Sequence, residues 1–155
     1  MKIIEKDILT VEKGIICQQV NCRGVMGSGL AKAIREKWPI VYDNYMYEME
    51  FEKHYSFTKL GTIFWARINE DLLVCNIFGQ LNYGNDGKRY TDYSALNTAF
   101  CEIKFKFTDY ATCPQIYFPF NFGCDRGGAD WNIVNKMIDY YFPNAIICKL
   151  PDAHT

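Results

Sequence analysis

Two glycine-rich segments hold the residues best suited to chemistry on an anionic ligand. The first, NCRGVMGSG, covers residues 21–29, and the second, FGCDRGGAD, covers residues 122–130. Each follows an apolar run and precedes a stretch whose apolar residues have helical spacing. Glycine lets a ligand approach the backbone closely, and a helix N-terminus offers unpaired N–H groups and a positive dipole end. Together the two segments predict a clamp for two adjacent phosphates or for one diphosphate.

Each polar residue in these segments also has a purely structural interpretation. The amide of Asn21 suits a ribose diol or an attacking water, but it could equally form an Asx turn into the loop. Ser28 and Asp130 each stand where a helix N-cap is expected. For Asp130 the alternative is a carboxylate beside a scissile bond, where it would activate water or a ribose hydroxyl.

Two common nucleotide-binding motifs are absent from the sequence. The pattern GxxxxGK[ST] does not occur, which argues against a P-loop kinase. The pattern GxGxxG does not occur either, since the first segment has the different spacing Gly24-x-x-Gly27-x-Gly29.

The composition predicts one ordinary globular domain in a reducing compartment. The chain has 155 residues, of which 49% are hydrophobic, and a net charge of −1, so strong nucleic-acid binding is not expected. The charged N-terminal stretch does not resemble a signal peptide, and no apolar run is long enough to span a membrane. Seven cysteines without a CxxC pair predict reduced, mostly buried thiols and a cytoplasmic protein. With only two histidines, a zinc site is not expected.

Strand-like and helix-like segments alternate along the chain. Strands are predicted at residues 2–10, 14–21, 61–68, 71–78, 115–120 and 144–150, and helices at 28–38, 42–51, 93–107 and 131–142. Pro39 is predicted to close the first helix, and residues 80–92 are predicted to form a loop. The alternation predicts a three-layer α/β domain with a mixed, largely parallel sheet, in which ligands bind beyond the carboxyl ends of the strands.

The two segments also resemble those of a known family. NCRGVMGSGLAKAI is similar to the signature loop of macro domains, which bind ADP-ribose, and FGCDRGGADW is similar to their second phosphate loop. The turn at Asp7–Leu9 resembles the family's adenine-reading turn, and the order of all these features matches over nearly the whole chain. The resemblance implies a single α/β/α macro domain over residues 1–155. The sequence most resembles the branch that includes phage and bacterial ADP-ribose-1″-phosphate phosphatases. The ADP-ribosyl glycohydrolases belong to the same broad branch.

The resemblance implies a role for each residue of the two loops. Asn21 and Asp130 would be catalytic, Asn21 at the distal ribose and Asp130 near the bond that breaks. Asp7 would accept a hydrogen bond from the adenine amino group, and the Ile8 N–H would donate to a ring nitrogen. The full set of implied ligand-binding residues is Asp7, Ile8, Gln18, Val20, Gly24, Val25, Met26, Gly27, Ser28, Gly29, Gln80, Phe122, Gly123, Cys124, Asp125, Arg126, Gly127, Gly128 and Ala129.

Four positions depart from the family pattern. Gln18 stands where phosphatase relatives often carry a histidine, and an amide is no general acid–base near neutral pH. Gln80 stands where glycohydrolase relatives carry a lysine that forms an adduct with the ribose. Asp125 and Arg126 replace small or apolar residues, and Arg126 could hold a terminal phosphate or be a solvated loop charge. Lys88 and Arg89 in the 80–92 loop have the same two interpretations.

The expected activity is hydrolysis of ADP-ribose-1″-phosphate by a monomer, without metal, cofactor or membrane. One alternative is an ADP-ribosyl glycohydrolase that acts on protein or nucleic acid. Another is a module that binds ADP-ribose, or a related nucleotide signal, without turning it over. A third is a domain whose glycines serve turns alone.

Overall fold

A computed structural model describes residues 1–50, 59–107 and 112–151 of the chain. Six strands are present in this part: β1 (Lys2–Glu5), β2 (Gly14–Asn21), β3 (Ile63–Arg67), β4 (Leu72–Gln80), β5 (Ile116–Pro119) and β6 (Ile146–Lys149). The α-helices of the same part are α1 (Gly29–Lys37), α2 (Pro39–Glu50), α3 (Tyr93–Lys106) and α4 (Trp131–Tyr141). A short 3-10 helix, Ile8–Thr10, lies between β1 and β2.

The strands form one sheet in the order β1-β6-β5-β2-β4-β3. All neighbouring pairs are parallel except β3 with β4, which is antiparallel and leaves β3 as an edge strand. The carboxyl ends of β1, β6, β5, β2 and β4 therefore lie at one edge of the sheet. Both glycine loops leave this edge, one after β2 and the other after β5, as expected for ligand-binding loops of an α/β sheet.

Helices cover both faces of the sheet, so the predicted three-layer α/β architecture is confirmed. One apolar cluster joins Ile15 and Cys17 of β2 to α3 and α4. A second cluster joins Ile16 and Val20 of the same strand to α1 and α2. Because successive side chains of β2 point to opposite faces, this strand is buried on both sides and positions the first glycine loop rigidly.

Two predicted element boundaries were wrong, each for a local reason. The predicted first strand stops at Glu5, because Asp7 accepts a hydrogen bond from the Leu9 N–H at 2.9 Å and caps the 3-10 helix instead. The first helix ends at Lys37, before Pro39 as predicted, but α2 begins at Pro39 itself and not at residue 42. A proline fits the first turn of a helix because the N–H that it lacks has no partner there.

Helical spacing predicts Tyr42, Tyr45, Met46 and Met49 on one apolar face of this helix, and the buried face of α2 agrees with that in part. Val41, Tyr45 and Met49 are buried at a spacing of four residues, whereas Met46 is 39% exposed. Residue 51, the predicted end of this helix, lies outside the described residues.

Four of the seven cysteines are buried, Cys17, Cys22, Cys75 and Cys148, while Cys101 is exposed. Both histidines, His54 and His154, lie outside the described residues. No helix in the described part of the chain is long and apolar enough to cross a membrane.

Candidate functional site

A cleft of about 1150 Å³ lies at the carboxyl ends of the parallel strands. Its walls include both glycine loops, the turn after β1 and the end of β6, and its volume suits an organic ligand. Many of the sequence-predicted site residues line it: Asp7, Ile8, Gln18, Val20, Asn21, Val25, Gly27, Ser28, Gly29, Gln80, Phe122, Gly123, Asp125, Arg126 and Gly127.

The other predicted site residues belong to the loops but do not line the cleft: Gly24, Met26, Cys124, Gly128, Ala129 and Asp130. Met26 and Ala129 are buried in the two apolar clusters and anchor their loops to the core. Gly24 and Gly128 have φ values of +78° and +68°, which glycine adopts without strain. These residues therefore determine the conformation of the loops without facing the cleft.

The first glycine loop presents an uncapped helix N-terminus to the cleft. Ser28 occupies the N-cap position of α1 with extended backbone, yet its hydroxyl makes no capping hydrogen bond. Among the described residues, none accepts a hydrogen bond from the backbone N–H groups of residues 26–31. A row of unpaired donors, at the positive end of the helix dipole, is therefore available to an anion.

Gly27 is not required by packing or by backbone conformation. Its φ lies outside the left-handed region, and a Cβ atom built on it would lie no closer than 3.7 Å to its nearest neighbour, a methyl carbon of Val25. Since Gly27 also lines the cleft, the space beside its Cα is open to a ligand. This is the arrangement expected where a ligand approaches the backbone.

Asn21, at the end of β2, holds the first loop in shape. Its Oδ1 accepts hydrogen bonds from the Arg23 N–H at 3.0 Å and the Val25 N–H at 3.3 Å. Its Nδ2 donates to the Val25 carbonyl at 2.8 Å. The structure thus contains the Asx turn that the sequence left open. One hydrogen of Nδ2 remains for a ligand in the cleft.

Tyr45 supports the same loop from below. Its hydroxyl lies 2.8 Å from Asn21 Oδ1, also contacts the Asn21 carbonyl, and accepts a hydrogen bond from the Gly24 N–H at 3.0 Å. Burial raises the pKa of Tyr45 well above its ordinary value, so the hydroxyl stays protonated and able to donate. Sequence analysis identified Tyr45 only as an apolar face residue, because nothing in helical spacing distinguishes a buried hydroxyl.

The second glycine loop uses some of its N–H groups internally and leaves others unpaired. The N–H groups of Cys124, Gly128 and Ala129 donate to carbonyls within residues 121–125, at 2.8, 3.2 and 3.0 Å. Those of residue 123 and residues 125–127 donate to no residue in the described ranges, and all four residues line the cleft. Unpaired donors from both loops therefore face one cleft.

Asp130 caps the helix that follows the second loop. Its carboxylate accepts a hydrogen bond from the Asn132 N–H at 2.9 Å, and its own N–H donates to the Tyr93 hydroxyl at 2.9 Å. The N-cap interpretation therefore describes its position in the structure. Asp130 does not line the cleft, and its catalytic role remains a prediction.

A network of amide side chains connects the loops around the cleft. Gln19 Nε2 donates to Gln80 Oε1 at 2.7 Å and to Thr91 Oγ1 at 2.8 Å. The Thr91 hydroxyl donates in turn to the Gly123 carbonyl at 2.7 Å. Sequence analysis missed Gln19, although a pair of glutamines inside an apolar strand was a signal that polar partners lie on both faces of the sheet.

Gln18 lies on the opposite face of β2 from Gln19. It is only 1% exposed, and its Nε2 donates to Asn76 Oδ1 at 2.6 Å, while its Oε1 has no partner among the described residues. Gln18 and Gln80 thus both line the cleft as neutral amides. Neither side chain can exchange a proton near neutral pH.

Two carboxylates and three cations line the cleft: Asp7, Asp125, Lys6, Arg126 and Lys149. The Asp7 carboxylate caps the 3-10 helix with one oxygen, and no described residue uses the other. Asp125 and Arg126 form no ion pair within the described part of the chain. Acids and cations are therefore present at both ends of the cleft.

The two cationic side chains of the 80–92 loop, Lys88 and Arg89, make their contacts outside the cleft. Lys88 Nζ lies 3.7 Å from an Asp86 carboxylate oxygen. The Arg89 guanidinium lies over the Tyr93 ring, 4.5 Å from its centroid. Neither cation lines the cleft.

Each glycine loop carries one cysteine with a poorly acidic thiol. Burial raises the pKa of Cys22 to about 11, and burial together with the Asp130 carboxylate raises that of Cys124 to about 11. Both thiols are protonated near neutral pH and are poor nucleophiles there. Within the described ranges, no cluster of histidine, cysteine and acidic residues is arranged to hold a metal ion.

No family model and no curated protein matches the sequence. Solved structures do match the fold. A protein of unknown function from Bacteroides thetaiotaomicron is 20% identical with a TM-score of 0.81, over 96% of this chain and 97% of its own. The macrodomain of Mycobacterium tuberculosis DarG is 17% identical with a TM-score of 0.76, over 98% of this chain and 97% of its own.

Thermosipho africanus DarTG, solved in complex with ADP-ribose, is 18% identical with a TM-score of 0.75. The match covers 99% of this chain and 42% of the DarTG chain. At these identities the similarity establishes the architecture alone. The chain has the macro domain fold.

Proposed function

We propose that the cleft binds ADP-ribose and that the protein hydrolyses ADP-ribose-1″-phosphate to ADP-ribose and phosphate. The observation that carries the proposal is two rows of unpaired N–H groups that face one cleft, one at residues 27–31 and the other at residue 123 and residues 125–127. Two such rows suit the two phosphates of a diphosphate. Thermosipho africanus DarTG has a similar fold and was solved in complex with ADP-ribose, which supports ADP-ribose as the ligand proposed for this chain.

The remaining polar groups suit the two ends of ADP-ribose. The unused oxygen of Asp7 would accept from the adenine amino group, and the Ile8 N–H, which no described residue accepts, would donate to a ring nitrogen. At the other end, the remaining Nδ2 hydrogen of Asn21 would donate to the distal ribose. In this proposed orientation the 1″-phosphate would lie near the second loop.

The hydrolytic step needs a group that accepts a proton from water. The water oxygen forms a bond to phosphorus, the bond from phosphorus to the 1″ oxygen breaks, and that oxygen takes up a proton. Asn21 Oδ1 is already used by the loop, so Asn21 serves binding and positioning. Asp125 is the second-loop carboxylate that lines the cleft, and we assign it the proton. The loop N–H groups would stabilise the phosphoryl charge.

Binding without turnover is the second candidate. Gln18 and Gln80 favour it, because both line the cleft as neutral amides that cannot serve as acid or base. Such a protein would sequester or recognise ADP-ribose.

Calorimetry with ADP-ribose, combined with phosphate release from ADP-ribose-1″-phosphate, separates these functions. We expect Asp125→Asn to bind ADP-ribose normally and to lose about a hundredfold or more in turnover. Asp130→Asn is the matched control, because asparagine also caps helices and should leave both measurements unchanged.

Loss of turnover in Asp130→Asn but not in Asp125→Asn would transfer the catalytic role to Asp130. Binding without phosphate release by the wild type would establish the second candidate. Absence of ADP-ribose binding would refute the proposal.

A further inference from the structure

We propose that the adenosine end of the cleft also binds a phosphate carried on the adenosine ribose, through Lys6 and Lys149. The substrate class would then be ADP-ribose that is phosphorylated at the 2′ or 3′ hydroxyl of its adenosine. This inference rests on the proposed function, which places the adenine beside Asp7 and Ile8.

The two lysines lie at the carboxyl ends of two neighbouring strands. Lys6 follows β1, Lys149 ends β6, and the Lys6 N–H donates to the Lys149 carbonyl at 2.9 Å. Both residues line the cleft, together with Leu150 and Pro151, so the cleft extends past Asp7 to the edge of the sheet.

Neither ammonium group has an acidic partner in the part of the chain that the structure describes. Both side chains are half-buried, yet neither forms an ion pair or a side-chain hydrogen bond with any residue in the described ranges. Lys59, another half-buried lysine, pairs with Glu48 at 3.0 Å. Both ammonium groups are therefore free to form charge-assisted hydrogen bonds with an anion in the cleft.

Lys149 is held at the rim by aromatic rings. Its ammonium lies 4.7 Å from the centroid of the Phe120 ring, which packs against Trp131 with 4.9 Å between ring centroids. Contact with the ring face restricts the lysine without neutralising it. The charge is therefore positioned and still available to a ligand.

Lys6 acts on the other side of the β6 end. Its charge lowers the pKa of the Cys148 thiol, and the charge of Asp7 raises it, against a larger increase from burial. Lys6 and Asp7 therefore lie near the same cleft-lining thiol. Because Lys149 follows Cys148 in the strand, its side chain leaves the opposite face of the sheet. The two cations thus flank the adenosine end from both faces.

The two phosphates of ADP-ribose itself would not contact these lysines. Its diphosphate belongs with the unpaired N–H groups of the glycine loops, toward β2 and β5. The adenosine end of ADP-ribose is neutral, so only an added anionic group would meet Lys6 and Lys149. The 2′ and 3′ hydroxyls are where an adenosine ribose can carry a phosphate, with a charge of about −1.5 to −2 for a monoester near pH 7.

Calorimetry at low salt would compare ADP-ribose with its 2′-phosphate and 3′-phosphate derivatives. We expect one derivative to bind about fivefold more tightly than ADP-ribose, with the gain shrinking as salt is added. The double variant Lys6→Gln/Lys149→Gln should lose this gain and keep its affinity for ADP-ribose.

The matched control is Lys2→Gln/Lys13→Gln, which removes the same charge from exposed lysines at the starts of β1 and β2, away from the cleft. This control should keep the gain. The inference is wrong if neither phosphate improves binding, if the gain survives in Lys6→Gln/Lys149→Gln, or if the control loses it equally. In those cases ADP-ribose still binds, whereas failure of the proposed function would abolish binding of ADP-ribose itself.

Discussion

The helices α1 and α4 each begin after a glycine loop, but their N-termini are capped differently. Both follow a glycine loop that leaves the same edge of the sheet, after adjacent strands β2 and β5. At α1 the Ser28 hydroxyl makes no capping bond, and the first-turn N–H groups are unpaired. At α4 the Asp130 carboxylate caps the first turn. The first glycine loop therefore offers an anion the backbone N–H groups of a helix N-terminus. The second glycine loop offers only backbone N–H groups of the loop itself.

The difference shows that a glycine loop before a helix is not sufficient to make an anion site at the helix itself. A carboxylate at the N-cap supplies both the acceptor and the negative charge that a phosphate would supply. Where the cap is missing, a ligand can take its place. Where the cap is present, the N–H groups that remain available are those of the loop, at residue 123 and residues 125–127.

The largest expected effect comes from filling the open space at the uncapped end. Gly27→Val should weaken ADP-ribose binding about a hundredfold, or about 2.7 kcal/mol, because the side chain would occupy the ligand's approach to the backbone. The melting temperature should stay close to that of the wild type, since a Cβ atom at position 27 has no neighbour closer than 3.7 Å and the φ is not left-handed. Calorimetry and thermal unfolding together test this. A large fall in melting temperature with unchanged affinity would contradict it.

A capping carboxylate at α1 should change stability and binding in opposite directions. Ser28→Asp should stabilise the fold by about 1 kcal/mol, because aspartate caps the first turn and interacts favourably with the helix dipole. It should weaken ADP-ribose binding about tenfold or more, because the new charge repels the diphosphate. Ser28→Asn is the neutral control, since it can cap without the charge. An unchanged affinity in Ser28→Asp would show that the ligand does not use this end.

Removal of the existing cap at α4 should affect folding more than binding. Asp130→Ala should destabilise the protein by about 1 kcal/mol and change the ADP-ribose dissociation constant by less than about twofold. Asp130→Ser should restore most of the stability. Chemical denaturation and calorimetry provide the two measurements. A loss of affinity in both variants would place Asp130 at the ligand after all.

The smallest expected effect concerns the thiols behind the two loops. The pKa values of Cys22 and Cys124 are about 11 in the folded protein, above the roughly 8.5 of an exposed thiol. The folded state therefore holds protons that the unfolded state releases, and stability should fall as pH rises from about 8.5 through 11. Cys22→Ala/Cys124→Ala should show a shallower decline in melting temperature over this range. Equal slopes for both proteins would argue against raised thiol pKa values.

The sequence was sufficient to predict the layers and the two loops, because apolar periodicity and glycine clusters are local signals. It could not determine whether Ser28 and Asp130 cap their helices, since both residue types are good caps and the outcome depends on side-chain geometry. It also could not identify Tyr45 as a support of the first loop, because that contact joins residues from two elements on the same face. It indicated the end of α1 before Pro39 but not the start of α2 at the same residue, since proline both ends helices and fits the first turn of the next.

The register of β2 with β4 has a consequence for how such a cleft could diversify. Val20 pairs with Phe78, but Asn21 pairs with Gln80, so Gly79 is one extra residue in β4. An extra residue disrupts the ladder locally and bends the strand that carries it. Deleting Gly79 would join Phe78 directly to Gln80, so Gln80 would still lie opposite Asn21 and the buried part of the strand would keep its pairing. A change of length by one residue, without any change in the core, would therefore alter the direction in which the chain enters the 80–92 loop at this rim.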